Sequence, residues 1–149
     1  MFTASCFIRK NTPELISKLI DLGYVKALFD EEYTKSDAYG LIVDQGDIAP
    51  LEHPLQEDEL MFTYNFIDCG ENIGLFLALA ALRDDTDVNQ WFVMDVEEYM
   101  DINQGDWFIA TDRNKGKHIG TQIDPMYCHK ATVEEIIEHS KIIEKKYNL

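Results

Sequence analysis

The residue pattern predicts an α+β fold: about three main helices packed on a mostly antiparallel sheet of four to six strands. Strand-then-helix units stand at the start, middle and end of the chain, whereas the stretches between them read as strand following strand. That is not the steady alternation of a doubly wound parallel sheet. The 149 residues also show no break in composition, so 1–149 is read as a single α+β domain of ordinary size.

The first unit opens with Phe2 to Ile8, aromatic and β-branched enough to be a strand. Thr12 follows as a helix cap, with Pro13 suited to the first helical position. Leu15, Ile16, Leu19, Ile20 and Leu22 recur at helical spacing until Gly23 ends the run. Residues 24–60 hold one clear strand, Tyr39 to Asp44, between loops marked by acids, Pro50 and Pro54. Met61 to Ile67 predicts another strand, Asp68-Cys69-Gly70-Glu71-Asn72 a turn, and Ile73 to Arg83 a helix. That helix is apolar on nearly every side, which predicts the most buried helix of the fold.

Gln90 to Val96 and Asp106 to Thr111 read as strands on either side of Asn103-Gln104-Gly105. Their matching pairs, Trp91-Phe92 and Trp107-Phe108, are expected to be cross-strand partners and core anchors. Lys117 to Ile123 is a short strand after the turn signal Arg113-Asn114-Lys115-Gly116. Met126 to Lys130 is the last strand, and Thr132-Val133-Glu134-Glu135 the capping box of the last helix. Val133, Ile136, Ile137, Ile143 and Tyr147 share a face of that helix. Its start resembles the Thr12 start, as helix caps do; no fixed period recurs between them.

Charge narrows the function. Lys and Arg number 13 against 28 Asp and Glu, a net charge of −15. Such a chain repels phosphates, so neither direct nucleic-acid binding nor anionic lipid is expected. The acidity serves solubility or a basic protein surface as partner, including a DNA-binding protein deceived by a DNA-like array of carboxylates. The longest apolar run, Ile73 to Leu82, is about half the ~20 residues of a membrane helix. Three cysteines, Cys6, Cys69 and Cys128, make a poor disulfide framework, and the N-terminus lacks a signal-peptide pattern. A cytoplasmic protein is expected.

Catalytic signals are sparse. Cys69 lies between a strand and a helix, where helix amides favour a thiolate. With His118 as base and Asp124 as third residue it would form a nucleophilic hydrolase. Gln104-Gly105-Asp106-Trp107-Phe108-Ile109 followed by His118-Ile119-Gly120 resembles the later part of the NlpC/P60 cysteine peptidases. Gly70 departs from that family's Asp-Cys-Ser motif. Cys128 and His129 point to opposite faces of a strand and do not share a metal. Asp85-Thr86-Asp87-Val88-Asn89 begins like a calcium loop, but Gln90 and Val96 stand where Gly and Glu are required. No cofactor or metal is expected.

Four segments carry a second resemblance: Phe7-Ile8-Arg9-Lys10-Asn11-Thr12-Pro13-Glu14-Leu15, the run Leu77 to Asp87, Gln90-Trp91-Phe92, and the run Ala131 to His139. They resemble small uncharacterised proteins of phages and mobile elements of gut bacteria. The resemblance implies a cytoplasmic accessory protein, with no catalytic residue or cofactor attached. The leading expectation is therefore a non-enzymatic acidic protein that binds another protein. The Cys69 hydrolase is the alternative.

Overall fold

A computed structural model describes residues 1–26, 40–50, 65–97, 103–110, 117–118, 121–122 and 127–147. The class is α+β: among the described residues three helices accompany sheets whose strand pairs are antiparallel in all but two cases. Two compact units divide the chain, Met1–Leu82 and Arg83–Leu149.

The first unit contains β1 (Cys6–Ile8), α1 (Pro13–Leu22), β2 (Val25–Lys26), β3 (Leu41–Asp44), β4 (Asp47–Pro50), β5 (Ile67–Asp68) and α2 (Ile73–Ala80). Its five strands lie in the order β2-β4-β3-β1-β5. β3 pairs antiparallel with both neighbours, while β1–β5 and β2–β4 are parallel. Cys6, Phe7 and Ile8 are all buried, so β1 is covered on both faces, and α2 packs against it. Gly40 leads into β3 so close to β1 that a Cβ there would lie 1.6 Å from the Ile8 carbonyl oxygen. Only glycine permits this approach.

Sequence signals set both helix starts here. The Thr12 hydroxyl accepts the Leu15 N–H at 3.2 Å, and the Asn72 side chain accepts the Leu75 N–H at 3.0 Å. α1 ends at Gly23 in the left-handed region (φ 112°), as expected from its lack of a Cβ. α2 stops at Ala80, short of the expected Arg83. The Tyr24 hydroxyl donates to the Ala80 carbonyl at 2.6 Å, and the Thr3 N–H to the Leu82 carbonyl at 3.1 Å. These tertiary bonds occupy the helix's C-terminal end. Gly74 is the one exposed residue of α2, against six on α1.

β2 and β4 lie in the stretch expected to hold one strand. β3 and β4 form a hairpin through Gln45 and Gly46, with Gly46 at φ 98° and Asp44 opposite Asp47. Pro50 closes β4 opposite Leu41, at the end of the ladder, where its missing N–H costs least. Met61 to Tyr64, the start of an expected strand, lie outside the described residues.

The second unit contains β6 (Trp91–Met94), β7 (Trp107–Ile109), β8 (Lys117–His118), β9 (Thr121–Gln122), β10 (Cys128–Lys130) and α3 (Val133–Tyr147). β10, β6 and β7 make an antiparallel sheet, and β8 pairs with β9. Opposite residues share a face, so Cys128 with Met94, and Phe92 with Phe108, form one side. Phe92, Met94, Ala110 and Cys128 are a buried cluster, with Phe108 packed on it. His129, Val93 and Trp107 form a row on the other side.

The aromatic expectation holds with a shift of register. Phe92 and Phe108 are direct partners, stacked at 5.6 Å, whereas Trp91 and Trp107 meet diagonally at 6.0 Å, edge to face.

Candidate functional site

Cys69 follows β5 at the expected strand-to-helix turn, with Gly70 left-handed (φ 57°) beside it. Its N–H donates to the Phe7 carbonyl at 2.9 Å, continuing the β1–β5 ladder. Parallel register puts Cys6, Ile8, Val43 and Cys69 on one face, and Cys6 and Cys69 are 0% and 4% exposed. The two thiols contact each other. That hydrogen bond, together with burial, pushes the Cys6 thiol far above the usual range. The turn buries its sulfur against that of Cys6, whereas a nucleophile needs to be accessible.

His118 lies in β8 of the second unit, but its side chain is outside the described residues, as is the whole of Asp124. The opposite face of β1 carries the charge: Arg9 grips Asp68 through two nitrogens (2.8 to 3.3 Å) and lies 5.4 Å over the Phe7 ring. Burial raises the Asp68 carboxyl, but hydrogen bonds from Arg9 and Gly70 outweigh it and hold the group below its ordinary value.

The failed calcium loop has a physical counterpart. The Lys130 ammonium donates to the carbonyls of Arg83 (2.9 Å) and Thr86 (2.7 Å) and lies 3.3 Å from Asp87. A built-in cation thus gathers the oxygens of this loop. Gln90, buried nearby in sequence, accepts the Arg83 N–H at 2.8 Å.

The densest group of titratable side chains was not expected from sequence. His129 Nδ1 lies 2.6 Å from Asp95, and Nε2 lies 2.9 Å from both oxygens of Glu135. Glu135 also closes the capping box: its carboxylate accepts the Thr132 N–H at 3.0 Å, and its N–H donates to the Thr132 hydroxyl at 3.2 Å. The Glu135 hydrogen bond raises the His129 imidazole above its ordinary value; burial opposes and Asp95 adds. Burial raises the Glu135 carboxyl, but His129 and Thr132 overcome it, leaving it lowered. Farther along α3, His139 stacks on Trp107 with centroids 4.3 Å apart.

The signals for this cluster were present but separate. Cys128 and His129 do face opposite ways, so a buried Cys128 turns His129 outward, and Glu135 doubles as capping residue and ion-pair partner. Among the described residues no group of His, Cys, Asp and Glu has the geometry to hold a metal ion, and no helix is long and apolar enough to cross a membrane. No known protein family, curated protein or solved structure matches the chain.

Proposed function

We propose that this is a non-enzymatic accessory protein whose acidic surface binds a basic surface of another protein in the cytoplasm. The observation that carries this reading is where the cations go. Arg9 pairs with Asp68, Arg83 with Asp85, Lys130 with Asp87 and Lys141 with Glu138, all within the fold. Among the described residues the exposed cations are Lys10, Lys18 and Lys141. Exposed carboxylates include Glu14, Asp21, Asp47, Glu71, Glu97 and Glu134.

Among the described residues, exposed carboxylates thus outnumber exposed cations, in keeping with the net charge of −15. A field of one sign accelerates encounter with a partner of the opposite sign and weakens as salt rises. The resemblance to phage and mobile-element proteins supports an accessory role in such a setting.

Affinity capture from host cytoplasm at low and high ionic strength tests the reading. The expected result is a discrete basic protein, retained at low salt and released at high salt. Binding should weaken when Glu14, Asp21, Glu71 and Glu134 are changed together to their amides. Retention of no partner, or of one indifferent to both salt and these substitutions, would overturn it.

A further inference from the structure

His129 sits where three backbone elements meet. It belongs to β10; Asp95 directly follows β6 and donates its N–H to the Tyr127 carbonyl at 2.8 Å; Glu135 is in the first turn of α3. One imidazole therefore links the middle of β10, the end of β6 and a helix. The bridge needs both ring nitrogens as donors, because ionised carboxylates only accept.

Protonated imidazole satisfies this arrangement at 2.6 and 2.9 Å. Neutral imidazole has one N–H, so its other nitrogen would present a lone pair to a carboxylate oxygen. One contact then has to open. Glu135 keeps the Thr132 N–H as an alternative donor, so the helix contact is the one that yields.

The surrounding charges point the same way. Among the described residues, Asp95 faces the ring from the end of β6 and Glu135 from α3, where Glu134, Glu138 and His139 are the other titratable groups of the first two turns. On its own strand, Cys128 lies in the core cluster and Lys130 is engaged by Arg83, Thr86 and Asp87. Tyr127 precedes them and is exposed. β7 contributes the uncharged Trp107, held by His139. The pull on the proton thus comes from two carboxylates.

From this geometry we infer that His129 is a proton-operated clip, fastening the first turn of α3 to the three-stranded sheet and releasing it as pH rises. The Trp107–His139 stack holds the helix one turn on, so the release is local. The inference does not rest on the acidic-surface reading.

Two measurements on the intact chain test it. NMR titration of the His129 ring is expected to give a midpoint above the ordinary 6.5, moving down in Glu135→Gln. Hydrogen exchange, corrected for intrinsic base catalysis, should show the Glu135 and Ile136 amides losing protection through that midpoint. Each unit between the closed and open midpoints corresponds to about tenfold in opening. His129→Gln should hold these amides at the low-protection level at every pH. A wild-type midpoint at or below 6.5 would overturn the inference without any variant, as would corrected protection that is flat across the titration.

Discussion

The two units illustrate opposite ways of holding a helix to a sheet. In the first, α2 packs against β1 and buries Phe76, Leu79 and Ala80, all 0% exposed. In the second, the start of α3 meets its sheet through His129–Glu135 and Trp107–His139, whose polar atoms remain partly in water. Packing depends on volume and is indifferent to protons. Polar ties depend on protonation and are screened by solvent. The first unit should therefore respond to lost volume, and the second to pH and to lost charge.

The largest effect is expected from Phe76→Ala, which empties a fully buried site. It should cost about 3–5 kcal/mol, read by chemical denaturation, with exchange protection lost in the first unit. A cost below about 1 kcal/mol would mean that α2 is not anchored as described. The buried thiols extend the contrast: Cys6, Cys69 and Cys128 should react with a thiol reagent at least about a hundredfold more slowly than in the denatured chain. A fast Cys69 would revive the hydrolase alternative.

Lys130→Met keeps the aliphatic stem but removes the ammonium from Arg83, Thr86 and Asp87, and should cost about 1.5–3 kcal/mol. Added calcium is expected not to restore the loss, since the loop lacks the ligands at its later positions. Thr12→Ala and Thr132→Ala probe equivalent caps in the two units, and each should cost about 1 kcal/mol by denaturation. Unequal costs would show that Glu135's second role changes what its cap is worth.

The smallest effect is the pH dependence of the second unit. The raised His129 value adds stability that is complete below 6.5 and lost as pH rises through the folded value. The lowered Glu135 value adds stability present above 4.5 and lost as pH falls through its folded value. The second unit should thus be most stable between these limits. Its imidazole is 40% exposed, so solvent screening holds the gain below about 1 kcal/mol. Melting curves of wild type and His129→Gln from pH 4 to 9 would check the sign; curves that stay parallel above pH 6.5 would contradict it.

Local chemistry was legible wherever one short segment contains the whole cause. Thr12, Pro13 and Gly23 bound α1, Thr132 and Glu135 form the capping box, and Phe92 faces Phe108 because two alternating runs form neighbouring strands. The site was less legible: Cys69 stands at its strand-to-helix turn, but nothing nearby in sequence says that Cys6 buries it. The His129 bridge draws on Asp95, 34 positions away.

By itself, then, the sequence determined the α+β class, the helix starts and the acidic excess, all of which follow from neighbours within a turn or from composition. The tertiary structure alone decided the parallel β1–β5 and β2–β4 pairings, the separation into two units and the end of α2 at Ala80. It also decided the carboxylates around His129. Each depends on partners brought together by chain closure, and a backbone N–H or a carboxylate does not encode in its own segment which distant group will meet it.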